Sequence, residues 1–118
     1  MGMETLQTVN RAVLIVRPKQ PFLDWLQSLP DPAETTLAEL RADCTTFLIP
    51  EYVYETDLPD IIRKTFETIF AVELDAWWLD TDDWPDTTDF ELFQAWFDVE
   101  VHSMVVNLAP GPITLEDL

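Results

Sequence analysis

The chain has 118 residues, a formal net charge of −17 and 47% hydrophobic residues. That length fits one domain with a real core, and the apolar share is too high for a disordered acidic chain. No apolar run reaches the roughly 18 residues that a membrane helix needs, and no basic segment leads into an apolar run as in a secretory signal.

The charge is unevenly placed. All six basic residues (Arg11, Arg17, Lys19, Arg41, Arg63, Lys64) lie in the first 64 positions beside ten acids, and thirteen acids with no Lys or Arg follow from Thr65 onward. The two parts carry −4 and −13. Such a field repels nucleic acid, which needs basic residues to displace counterions, and it disfavours anionic membranes. It attracts basic proteins, polyamines or divalent cations. The plainer account of the same charge is solubility. Cys44 is the only cysteine, so an intrachain disulfide is impossible and a reducing cytoplasm is the expected setting. Met1-Gly2 invites an N-myristoylation reading, but Leu6 stands where that signal has Ser or Thr. Met1-Gly2 reads instead as an appendage ahead of a natural start at Met3.

In chain order, residues 1–8 read as a loose lead-in. Asn10 to Arg17 is apolar and β-branched at its centre and predicts a strand buried on both faces, stopped by Pro18. Gln20-Pro21 opens a short helix with Phe22, Trp25, Leu26 and Leu29 on one face. Pro30-Asp31-Pro32 marks a turn. Thr36 to Glu39 has capping-box spacing and starts a helix through about Ala42, with Leu37 and Leu40 as its apolar contacts. Thr45 to Ile49 predicts a second strand, extended by Glu51–Tyr54 past Pro50 through a bulge or bend.

Asp57 is the expected N-cap of the longest helix, which runs to about Trp77. Leu58, Ile61, Ile62, Phe66, Ile69, Phe70, Leu74 and Trp77 form its apolar stripe. Leu79 to Thr87 is an acidic loop. Thr88 to Glu91 has a second capping-box spacing and opens a helix with Phe90, Phe93 and Phe97 on one side and Leu92 and Trp96 beside them. The period then changes to alternation: Phe97, Val99 and Val101 point one way, and Asp98, Glu100 and His102 the other. Met104 to Leu108 continues as a more fully apolar strand, and Pro110-Gly111-Pro112 ends the fold.

The order β-α-α-β-α-α-β predicts one α/β (α+β) domain over residues 9–109, with 110–118 as a tail. The expected architecture is a small sheet of about three strands with helices mainly on one face. Asn10–Leu26 (NRAVLIVRPKQPFLDWL) and Trp96–Val105 (WFDVEVHSMV) resemble a group of small acidic bacterial proteins with no assigned activity. The likeness spans Asn10 to Leu108 and implies a bacterial, cytoplasmic, single-domain protein; it brings no catalytic residues with it.

The two glycines, Gly2 and Gly111, lie near the ends, so no phosphate-cradling loop, dinucleotide fingerprint or nucleophile elbow fits inside the fold. One Cys and one His exclude a Cys/His zinc site. No cofactor is expected. The twelve residues Asp80 to Glu91 carry acids at loop positions 1, 3, 4, 7, 10 and 12. Trp84 and Pro85 stand where a calcium-binding EF-hand loop has a ligand and its turn glycine, which excludes that motif. Asp98, Glu100 and His102 line one strand face at intervals of about 7 Å and are the candidate catalytic or metal-holding set. The plainer reading pairs them with Arg11 and Arg17 across the sheet.

Trp25, Trp77 and Trp96 read as core. Trp78 and Trp84 flank the acidic loop, either as exposed anchors or as side chains folded over the core rim. The candidate partner-binding set is Trp78, Asp80, Asp82, Asp83, Trp84, Asp86 and Asp89. The leading functional expectation is a non-enzymatic protein that docks a basic partner, one form of which is a nucleic-acid mimic. Behind it stand a small metal-dependent or acid–base enzyme using Asp98, Glu100 and His102, and a structural homo-oligomer subunit. Monomer and homodimer are both left open by the sequence.

Overall fold

The computed structural model describes residues 6–118; the first five residues of the lead-in, with the expected start at Met3, lie outside the described residues. The central element is strand β2, Ala12–Pro18. It is flanked by β3, Thr46–Ile49, and β4, Phe97–His102, both antiparallel, giving the order β3-β2-β4. A two-residue ladder joins β1, Gln7–Thr8, to β5, Val106–Asn107. Among the described residues four α-helices complete the α+β domain: α1 (Gln20–Ser28), α2 (Leu37–Ala42), α3 (Leu58–Asp75) and α4 (Phe90–Trp96). No helix of the described residues is long and apolar enough to cross a membrane.

Side chains of β2 alternate. Ala12, Leu14, Val16 and Pro18 are buried, while Val13, Ile15 and Arg17 are half-buried. The strand is therefore covered fully on one face, not on both as its continuous apolar run implies. Its aliphatic outer positions are half-shielded by the flanking strands instead, as an antiparallel sheet allows. Register places Glu100 opposite Ile15, His102 opposite Val13 and Asp98 opposite Arg17. Asp98, Glu100 and His102 thus share the outer face with Arg17, while Phe97, Val99 and Val101 turn to the core.

The core is aromatic. Phe22, Phe70 and Phe93 are fully buried with Leu14, Val16, Leu26 and Leu74. Phe97 is the point where they meet: its ring centroid lies 5.3 Å from Phe22, 5.5 Å from Phe70 and 5.3 Å from Phe93. These are edge and tilted contacts, the arrangement favoured by ring quadrupoles. Phe97 is also where α4 stops. Its backbone is extended (φ −137°, ψ 140°), so the helix passes into β4 with no intervening loop.

Helix α3 carries Pro59 in its first turn, where the missing N–H is harmless. It buries Phe66, Ile69, Phe70, Glu73 and Leu74. It ends at Asp75 rather than Trp77, because the amides of Trp77 and Trp78 both fold back onto the Leu74 carbonyl. That closure turns Trp77 outward, 42% exposed, and removes it from the expected core. Trp25 is buried and Trp96 packs against the core as expected.

Several local expectations shift. Thr36 caps α2 through the Glu39 amide at 3.2 Å, but the Glu39 carboxylate takes the Thr35 hydroxyl, so only half of the box forms. The carboxylate of Asp57 reaches the Tyr54 amide and closes a 3₁₀ turn, Glu55–Asp57, leaving α3 without a side-chain cap from it. Glu51–Tyr54 is irregular, since Pro50 cannot continue the ladder. Met104–Leu108 is not a buried strand. Only Val106 and Asn107 pair, with β1, and Met104 is 73% exposed because no layer covers that side.

Candidate functional site

The acidic segment after α3 is held by tryptophans. The Trp78 indole donates to Asp83 Oδ2 at 2.9 Å, the Trp84 indole to the Trp78 carbonyl at 2.8 Å, and the Trp25 indole to the Asp83 carbonyl at 2.8 Å. Trp78 and Trp84 are half-buried and packed against the core. Each needs a partner for its N–H once desolvated, and each finds it within the loop. Their geometry is that of braces folded over the core rim, with no indole donor left over for a partner.

The carboxylates shape the same segment. Asp80 accepts from the Asp82 amide at 3.0 Å and starts a 3₁₀ turn, Thr81–Asp83. Asp86 accepts from the amide and hydroxyl of Thr88 at 3.0 and 2.6 Å, and those two bonds, the hydroxyl first, hold its carboxyl below the usual range. Asp89 caps α4 by accepting from the Leu92 amide at 3.1 Å. The cap is therefore Asp89 rather than Thr88, because Asp86 has already engaged the Thr88 hydroxyl. Asp82 and Glu91 form no side-chain hydrogen bond among the described residues and face solvent.

Ion pairing lies elsewhere. Arg17 Nη1 is 3.3 Å from Glu100, Arg41 Nη1 is 2.9 Å from Asp98, and Lys19 Nζ is 3.6 Å from Asp98. Arg63 lies over the Phe90 ring, 4.3 Å from its centroid, and Arg11 donates to the Asn10 carbonyl. The expected pairing with Arg17 forms; that with Arg11 does not, and Lys19 and Arg41 take its place. His102 Nε2 lies 2.9 Å from Glu100, and this contact, followed by the Arg17 charge, lowers the Glu100 carboxyl from its ordinary value. Among the described residues, every ion pair thus falls on β4, and Asp80, Asp82, Asp83, Asp86, Asp89 and Glu91 have none.

The candidate catalytic set lies on the open face of the sheet. Asp98, Glu100 and His102 are all exposed, and no group of three His, Cys, Asp or Glu among the described residues is placed to hold a metal ion. Cys44 is half-buried; its thiol lies 3.2 Å from the Arg41 carbonyl, and burial pushes its pKa up. Thiolate chemistry is disfavoured there.

One residue escapes the sequence reading. Glu73 occupies a core position of α3 and is only 6% exposed, with Oε1 lacking any hydrogen-bond partner. Burial pushes its carboxyl up to about 7, against a lowering influence of the Thr45 hydroxyl. The signal was in the spacing: Phe66, Ile69, Phe70 and Leu74 define a stripe that includes position 73.

Fold and surface together define a small α+β protein with a braced, unneutralised acidic face. No protein-family model matches the chain, and no curated protein or solved structure matches it.

Proposed function

We propose that this chain is a cytoplasmic, non-enzymatic docking protein whose acidic segment 80–91 receives a basic partner. The observation that carries this reading is the pairing pattern. The chain's ion pairs gather on Asp98 and Glu100, while six carboxylates of the segment have no cationic partner among the described residues. Like charges held together raise the local negative potential and the encounter rate with a cationic surface. The indole and capping hydrogen bonds fix that array beforehand, which lowers the ordering cost of binding. A basic, phosphate-binding protein surface is one form such a partner could take, with carboxylates standing in for phosphates.

The test is capture of partners from lysate at graded salt, with wild type beside an Asp82→Lys/Glu91→Lys variant. Both positions are exposed and form no side-chain hydrogen bond among the described residues, so the substitutions leave the braces intact. The expected result is a basic partner that weakens steeply with salt and is lost in the variant. Capture indifferent to salt, or equal in the two proteins, refutes the docking reading.

A further inference from the structure

Glu73 lines a cleft of about 260 Å³ between α2, α3 and the connection into β3. Glu39 and Asp43 bring two more carboxylates to its lining, Leu40 supplies aliphatic wall and Trp77 an indole. Buried polar atoms in folded proteins nearly always have a partner, so an orphaned carboxylate oxygen needs an explanation. A protonated or ionised carboxyl on a core stripe of α3 is a poor choice for packing alone.

The residue types around the cleft suit one ligand chemistry. A carboxyl on the wall suits a cation. Aliphatic carbon suits an alkyl stem, and an aromatic ring suits a positive head group. A cation of roughly six heavy atoms, at the ~30 Å³ a water occupies in the liquid, takes roughly 180 Å³ and fits the space. Metal is a poor alternative, since among the described residues no three such ligands converge. The nearby cations are engaged elsewhere: Arg41 on Asp98 and the Pro18 carbonyl, Arg17 on Glu100.

We propose that this cleft binds a primary ammonium group on an alkyl chain, with the Glu73 carboxylate as its counter-ion. The group is that of a free alkylamine or of a lysine side chain. No residue of the segment 80–91 lines the cleft, so this inference and the docking reading fail independently.

Ionised Glu73 is the binding form. With its carboxyl at about 7, ammonium uptake displaces a proton, and affinity rises with pH through neutrality. The other charged or titratable groups around it are Glu39, Asp43 and Cys44 on the lining, and Arg17 and Arg41, whose charges reach Cys44. Cys44 is shifted upward by burial, away from this window.

The experiment is an NMR titration at pH 6 and pH 8 with n-butylamine hydrochloride, n-butanol, and the peptide acetyl-Gly-Lys-Gly-amide. Butylammonium is expected to bind about tenfold more tightly at pH 8, the ratio of ionised Glu73 at the two values. Butanol is expected not to bind, and the Glu73 carboxyl resonance should titrate lower in the presence of the amine. Glu73→Gln should lose the pH dependence and bind at least tenfold more weakly at pH 8. Binding of both amine and peptide assigns a lysine side chain as the ligand; binding of the amine alone assigns a free amine. Absence of amine binding at pH 8, equal binding of butanol, or Glu73→Gln binding like wild type overturns the proposal. If Glu73→Gln does not fold, the amine–butanol contrast and the Glu73 resonance in the wild type decide it.

Discussion

Replacing Glu73 by Gln changes how stability depends on pH. The folded chain holds the Glu73 carboxyl at about 7, against an ordinary value of 4.5, because the helix buries it with Oε1 unpartnered and the Thr45 hydroxyl offsets only part of that cost. Between those values the folded state keeps a proton that the unfolded chain has released. Folding is therefore penalised increasingly as pH rises from 4.5, and the penalty is complete above 7. The rise from 4.5 to about 7 corresponds to about 3 kcal/mol at pH 8 and about 1 kcal/mol at pH 5. Glutamine has nearly the same shape and cannot ionise, so the variant should lack this slope. The assay is urea unfolding followed by tryptophan fluorescence at pH 5, 6, 7 and 8. The stability difference, variant minus wild type, should grow by about 2 kcal/mol over that range. Taking the difference cancels the general repulsion of a chain at −17. Parallel pH profiles for the two proteins would refute the claim that burial perturbs Glu73.

Phe97→Ala removes the ring shared by three core phenylalanines and should destabilise by about 3–5 kcal/mol in the same urea assay, the range for emptying a packed aromatic site. Asp89→Ala should cost about 1 kcal/mol through loss of the α4 cap. Thr88→Ala should leave that cap in place, with the Leu92 amide still protected from hydrogen exchange.

Much of the fold can be read from residue spacing because burial imposes it. The change of period at Phe97 marks the junction of α4 and β4 to the residue, since a helix face and a strand face must both reach the same core there. Competition between nearby polar groups is harder to read. Thr88 and Asp89 are both good caps, and the choice depends on Asp86, two residues earlier. Trp77 has core spacing, yet the helix closes under it at the Leu74 carbonyl. Glu73 is the reverse case: it fits the spacing of the buried stripe but not its chemistry. A pattern read by polarity passes over it, although its carboxyl is the group that α3 packs inward. The open side of the sheet is likewise hidden in β2, whose run of aliphatics resembles a strand covered twice.

The sheet order β3-β2-β4 has a consequence for how the chain folds as it is made. Strand β2 can pair with β3 once about the first fifty residues exist, but its other edge waits for β4, whose Asp98 lies opposite Arg17. Through that interval β2 presents an unpaired edge, the kind of surface that recruits stray strands. The same delayed strand brings Asp98 and Glu100 to Arg17, Lys19 and Arg41, so edge closure and neutralisation of that basic cluster coincide. The sequence ahead of Phe97 carries 19 acids against six basic residues, a net −13, so repulsion between copies opposes that recruitment while the edge is open. A truncation before Phe97 should therefore self-associate more than the full chain in sedimentation at high salt, where that repulsion is screened, and less so at low salt.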